Sequence, residues 1–294
     1  MTTPRPVPPR LVAVALAAAT LLAPVAASAA GRSNPRAATV QKVFPAAVRL
    51  QLLAAGKVVR SASGVAFARD GGSTYVLTNA HVVEPDPSWK EPVVLHVLAT
   101  GRKAPLAAKV VARGQVPDVD LAVVEVADAD LPLAALASDD ALELGDDLVV
   151  IGAPFGKGLS VAAGIISQVE YEFPEAAGAP RVPRSLKTDA AIGYGSSGGG
   201  VFEVPSGRLV GLVEGYRTAR VAFGAKDEYA FDVPMPGETF VAPAAKIRHF
   251  LGERGLAKLV GPGRPDAASA SAQATHGRAT PRVSRGSGVS GSGS

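Results

Sequence analysis

The chain has no cysteine at all among its 294 residues. That excludes a disulfide-stapled scaffold, a thiol nucleophile and any cysteine-ligated zinc or iron–sulfur centre. Aromatic residues are scarce, at 5% with a single tryptophan, whereas glycine (32) and proline (24) are plentiful. That balance points to many turns and many short strands. Apolar runs long enough to cross a bilayer are missing too. The longest, Leu11 to Ala23, falls short of a comfortable span. It follows Arg5 and Arg10 and precedes the small residues Ala27-Ser28-Ala29, so residues 1–29 read as a signal peptide cleaved before Ala30. The expected location is periplasmic or extracellular, with no membrane span after cleavage.

The middle of the chain carries almost no net excess of either charge. Of the formal +4, Arg5 and Arg10 carry +2, and the tail carries +3 through Arg264, Arg278, Arg282 and Arg285 against Asp266. The residues between are left at −1. A nearly neutral core has no electrostatic footprint for a phosphate backbone, which argues against nucleic acid as a partner. Residues 261–294 are mostly Ser, Gly, Ala, Pro and Arg, too poor in apolar surface to offset the entropy of ordering. They are expected to form a disordered tail. Residues 30–260 remain, about 230, enough for one large domain or two small ones sharing a core.

What fills that stretch is β. Segments 48–52, 74–78, 92–98, 108–112, 121–126, 147–151, 161–171, 209–213 and 240–242 are short, aliphatic or β-branched, and bounded by Gly, Pro, Asp and Ser. Few intervening segments could hold the crossover helices of a parallel sheet. One helix is predicted near Pro243 to Arg254, ending at Gly255, with Ile247, Phe250 and Leu251 on one face.

The run Gly195-Ser196-Ser197-Gly198-Gly199-Gly200 is the strongest local signal. Glycine adopts backbone angles that let several N–H groups turn toward one point, a nest able to hold an oxyanion beside an attacking hydroxyl. A serine hydroxyl needs a base, and the candidates are His81, His96 and His249. His96 alternates within a strand and His249 falls on the solvated side of the predicted helix, which leaves His81. The carboxylate that fixes the tautomer of the base is Asp120, at the mouth of the apolar run Leu121-Ala122-Val123-Val124, or Asp118 two residues earlier.

Three separated motifs resemble the HtrA-type trypsin-like serine proteases: Thr78-Asn79-Ala80-His81-Val82-Val83, Asp120-Leu121-Ala122-Val123-Val124, and Thr188-Asp189-Ala190-Ala191-Ile192 running on to Gly195-Ser196-Ser197-Gly198-Gly199. Ile151-Gly152-Ala153-Pro154-Phe155-Gly156 and Gly164-Ile165-Ile166-Ser167 are similar as well. The resemblance covers about residues 40 to 255. It implies an all-β fold of two packed six-stranded antiparallel barrels with a C-terminal helix. It also implies a serine endopeptidase acting on exported or misfolded polypeptides, with no metal or cofactor. His81 would be the base, Asp120 its orienting acid and Ser197 the nucleophile. The N–H groups of Gly195 and Ser197, with Ser196 beside them, would form the oxyanion hole. Homo-oligomers, often trimers, are common in this family, though no residue here specifies one.

The chain departs from the family pattern in places. Gly193-Tyr194-Gly195-Ser196 replaces the usual Asn-Pro-Gly-Asn, and Gly200 replaces a proline. The added glycine predicts a looser loop whose oxyanion hole is not preformed. Ser196 stands where trypsin-like zymogens often carry Asp, which argues against activation by N-terminal insertion. No peptide-binding PDZ domain is expected in the short tail. Ala191, six residues before Ser197, stands where enzymes cutting after Arg or Lys have Asp, so a cationic side chain would lose its partner. Small or medium apolar residues are expected instead, with Ile192 and the strand residues Leu212, Val213 and Glu214 forming the pocket walls. Were Glu214 to face the pocket, it would select a basic residue. Trp89 is either a substrate contact at the cleft rim or a loop anchor.

Two rival readings differ in class. Gly195-x-Ser197-x-Gly199 also fits the nucleophile elbow of α/β-hydrolases, but that fold needs strand–helix alternation and the order Ser, acid, His. The other is a catalytically silent protease fold that binds exported polypeptides, since fold does not guarantee activity.

Overall fold

The computed structural model describes residues 34–260, apart from 90, 139–141, 173–181 and 224–228. The signal segment 1–29 and the tail 261–294 lie outside the described residues. Among the described residues, twelve strands close into two six-stranded antiparallel barrels, as expected. The first comprises β1 (Ala47–Ala54), β2 (Lys57–Asp70), β3 (Ser73–Thr78), β4 (Val93–Ala99), β5 (Leu106–Arg113) and β6 (Ala122–Val126), in the order β1-β2-β3-β6-β5-β4. The second comprises β7 (Asp147–Gly152), β8 (Ser160–Glu172), β9 (Val182–Thr188), β10 (Gly200–Glu203), β11 (Leu209–Phe223) and β12 (Tyr229–Pro243), in the order β10-β11-β12-β9-β8-β7. Closure leaves neither sheet an unpaired edge.

Strand periodicity explains why some segments read as unbroken apolar runs. In β3, Val76 points into the first barrel, while its neighbour Leu77 points into the core shared by the two barrels. Val124 and Val123 of β6 divide in the same way. In β7, Val149 and Ile151 join the shared core and Leu148 and Val150 fill the second barrel. A strand buried on both faces has no polar side to alternate with.

The helix α1 (Pro35–Val43) precedes β1, the one-turn α2 (Ala80–Val83) follows β3, and α3 (Ala244–Glu253) closes the domain. Ile247, Phe250 and Leu251 of α3 are at most 1% exposed and join the shared core. Each contributes on the order of 1.5–3 kcal/mol by burial. The end of α3 is closed by Gly255 N–H to Gly252 O (3.1 Å) and Leu256 N–H to Leu251 O (2.7 Å).

Several elements depart from the sequence expectation. β2 is rich in Ser, Ala and Gly and has no aliphatic alternation to announce it. β9 contains Pro183, and β10 is only four residues long and begins at the last glycine of the run. β11 and β12 extend far beyond 209–213 and 240–242 as a long hairpin, with register shifts at Val213/Gly215 and Tyr216/Thr218.

Candidate active site

β3 ends at Thr78, and the fully buried Asn79 turns the chain into α2, which carries His81. The Asp120 carboxylate holds His81 twice. One oxygen accepts the His81 backbone N–H at 2.9 Å, and the other lies 2.7 Å from ring Nδ1. Asn79 Nδ2 donates to Asp120 O at 2.8 Å, tying the acid to the same turn. The Asp120 side chain is 14% exposed and the His81 side chain 39%. A carboxylate at Nδ1 places the ring proton there and leaves the Nε2 lone pair open to accept one. Asp118, the alternative acid, is exposed on the preceding turn.

An arginine that sequence reasoning missed holds this turn from behind. Arg60 Nη1 contacts three carbonyl oxygens at the end of α2: His81 O (2.7 Å), Val82 O (3.0 Å) and Glu84 O (2.8 Å). Its guanidinium lies 4.8 Å from the centroid of the Trp89 ring. Trp89 itself packs against the first-barrel core, which makes it the loop anchor of the two alternatives.

The serine loop is fixed by a succession of tied carbonyls. Tyr194 O accepts Phe155 N–H (2.6 Å), Gly195 O accepts Ser63 Oγ (2.7 Å) and Ser196 O accepts Gly199 N–H (2.8 Å). Phe155 adopts φ 56° to make its bond, a conformation unusual for a non-glycine residue. Gly195 sits at φ +91°, and a Cβ there would lie 2.7 Å from Ala153 O, so both backbone angle and space demand glycine. The N–H groups of Gly195 and Ser197 donate to no described residue. Ser196 N–H instead donates to Gly193 O at 3.0 Å, which removes it from the expected set of oxyanion donors. The looser loop expected from Gly200 is also corrected. That residue is buried in β10, opposite Ile151 and Leu212, and a Cβ there would lie 2.5 Å from the Phe202 ring. Ser197 Oγ makes no hydrogen bond to a described residue.

Beside the loop opens a cavity of about 430 Å³, walled by Val150, Ala162, Ala191, Ile192, Tyr194 and Tyr216 among others. Ala191 and Ile192, two of the residues expected to wall a substrate pocket, line this cavity. Leu212, Val213 and Glu214 are not in the wall. Leu212 and Val213 are fully buried in the cores, and Glu214 turns to α3, where its carboxylate lies 2.8 Å from Lys246 Nζ. The register shift between Val213 and Gly215 moves the contribution of β11 to Tyr216. The Tyr216 hydroxyl is buried with no hydrogen-bond partner among the described residues. Burial, and then the neighbouring Tyr194 phenol, push its pKa up to about 12. The two rings meet edge to face at 5.7 Å.

The other candidate bases lie apart from this arrangement. His96 is a half-buried residue of β4, opposite Gln51 and Ala107. His249 is 76% exposed on α3 and pairs with Glu253. Among the described residues, no three His, Asp or Glu side chains gather as a metal site, and no helix is long and apolar enough to cross a membrane.

The model of the trypsin-like peptidase domain matches residues 62–212, a stretch holding His81, Asp120 and Ser197. The chain belongs to the trypsin-like peptidase domain family. Its curated relatives are of the DegP and HtrA kind. The periplasmic serine endoprotease DegP of Escherichia coli K12 is 36% identical over 157 residues, covering 53% of this chain and 30% of that protein. The human serine protease HTRA4 is 31% identical over 224 residues, covering 74% of this chain and 41% of that one. The chain thus spans less than half the length of these relatives. Among solved structures, an inactive form of Rv3671c from M. tuberculosis superposes with a TM-score of 0.54 at 25% identity, covering 76% of this chain and 93% of that one. The serine endoprotease of Yersinia pestis gives a TM-score of 0.52 at 25% identity, covering 77% of this chain and 66% of that one. The fold is therefore the two-barrel architecture of trypsin-like peptidases, and the relatives it resembles are of the HtrA and DegP kind.

Proposed function

We propose that the chain is an exported serine endopeptidase that hydrolyses peptide bonds of exported or misfolded polypeptides through His81, Asp120 and Ser197. The observation that carries the reading is the double hold of Asp120 on His81, at 2.7 and 2.9 Å, in a chain whose family is peptidase. Ser197 Oγ attacks the scissile carbonyl carbon as His81 Nε2 takes its proton, and the carbonyl oxygen becomes an oxyanion between the N–H groups of Gly195 and Ser197. The imidazolium, steadied by Asp120, then gives that proton to the leaving amine. An acyl-enzyme remains on Ser197, and a water activated by the same histidine hydrolyses it. The cavity walled by Ala191, Ile192 and Tyr216 takes the side chain before the cut, with small or medium apolar residues preferred. Among the described residues, no carboxylate lines it to receive a lysine or arginine.

The mature protein begins at Ala30, and the periplasmic relatives support export to that compartment. One observation favours a second reading, a silent protease fold that binds polypeptides. Ser197 Oγ is not hydrogen-bonded to His81, the contact that would activate it. Such contacts often tighten only when substrate binds. Fluorophosphonate labelling of the mature protein decides between the readings. Labelling lost in Ser197→Ala and His81→Ala but kept in His249→Ala supports the peptidase. Failure of the folded wild type to label or to cleave casein supports the silent scaffold. N-terminal sequencing of the exported protein tests the cut before Ala30.

A further inference from the structure

One residue of the first barrel, through its backbone and its hydroxyl together, joins the His81 half of the site to the Ser197 half. Ser63 lies on β2 of the first barrel and is 1% exposed, and all of its polar atoms are used. Its N–H donates to Ser197 O (2.9 Å), and its carbonyl accepts Thr78 Oγ1 (2.8 Å), three residues before His81. Its hydroxyl donates to Gly195 O (2.7 Å) and accepts Ala153 N–H (2.8 Å).

The bond to Gly195 O matters because a peptide group is planar, with N–H and C=O pointing opposite ways. Three successive planes, 194–195, 195–196 and 196–197, each have their carbonyl tied, and the middle plane is tied by Ser63 Oγ. Ser196 N–H, at the other end of that plane, is spent on Gly193 O. With the middle plane fixed at both ends, the unengaged N–H groups on either side, of Gly195 and Ser197, cannot swing independently. Of the three ties, that of Ser63 alone comes from a side chain, and it reaches across from the other barrel.

We infer that Ser63 is a positioning residue that holds the oxyanion donors in place. The inference rests on the peptidase reading. Donors aimed in advance at developing charge need no reorganisation at the moment of reaction, and small misplacements are costly. Ser63→Ala leaves Gly195 O without its donor and Ala153 N–H without its acceptor, so the middle plane is held at its Ser196 N–H end alone and can tilt.

The test uses the full mature chain and a peptide substrate with an apolar residue before the cut. Ser63→Ala lowers kcat by about 10- to 100-fold with KM changed less than twofold, less than the full loss of an oxyanion donor. The affinity for a peptide boronic acid, which forms a tetrahedral adduct on Ser197, falls by the same factor as kcat/KM. Thr74→Val removes a comparable buried hydroxyl bond, to Ala129 O at 2.5 Å. That variant serves as the control, losing stability but keeping kcat and boronate affinity. Ser63→Cys, a slightly larger side chain with a weaker donor, falls between Ser and Ala, and it takes the place of Ser63→Ala should the alanine variant not fold. Wild-type kcat and boronate affinity in the Ser63 variants overturn the inference, as does a loss that lies wholly in KM or is matched by Thr74→Val. A wild type that neither turns over nor labels with fluorophosphonate overturns the peptidase reading instead.

Discussion

Arg60 offers a quantitative test of how the turn bearing His81 is held. Its Nη1 carries two hydrogens yet lies within 3.0 Å of three carbonyls at the end of α2, so it supplies two full bonds shared among them. Hydrogen bonds to a charged group contribute about 1.5–3 kcal/mol each, and a cation over an aromatic ring about 0.5–1 kcal/mol at an exposed site. Arg60 is only half-buried, so water replaces part of both, and the loss on Arg60→Met is on the order of 2–4 kcal/mol. Methionine keeps an apolar stem over Trp89 and removes the charge and the donors. At roughly 2–4 °C per kcal/mol for a domain of this size, the melting midpoint falls by about 5–15 °C. The assay is built in, because Trp89 is the sole tryptophan and its fluorescence reports unfolding beside the mutated residue. A loosened α2 also misplaces His81, so kcat falls about tenfold with KM little changed. A variant melting within a degree of wild type refutes the reasoning, since the three carbonyl contacts would then be surface ornaments worth no more than water.

Three further outcomes follow from the same geometry. Asp120→Asn lowers kcat by roughly 10³–10⁴-fold at neutral pH without loss of fold, because an amide at Nδ1 supports the wrong tautomer; stopped assays and circular dichroism check both halves. Gly198→Ala destabilises by roughly 2–5 kcal/mol, measured by urea unfolding, because φ is +78° and a Cβ would lie 2.3 Å from Ser63 O. Tyr216 ionises well above an ordinary tyrosine, near pH 12, so stability is unaffected below pH 10 and is lost as pH rises toward 12, where the unfolded chain ionises first. Tyr216→Phe removes a phenolate that appears only near pH 12 in an ultraviolet titration and flattens that alkaline loss.

Much of the candidate site was legible because its residues carry local signals. His81 follows a strand of clear β pattern, Asp120 opens a run apolar on both faces, and Ser197 sits among glycines. The barrels were legible for the same reason wherever aliphatics cluster. What escaped was whatever depends on the partner across the fold. β2 has little apolar periodicity, so neither the strand nor the Ser63 hydroxyl within it stood out. Only the closure of the two barrels brings that hydroxyl to Gly195 O. Glu214 shares the Leu212 face of its strand and turns to Lys246 on α3, while the register shift after Val213 puts Tyr216 in the wall. Side-chain facing alternates along a strand, so one such shift reverses which residues a substrate meets. Chemistry announced by residue type is therefore read from the sequence, while specificity and positioning wait on register.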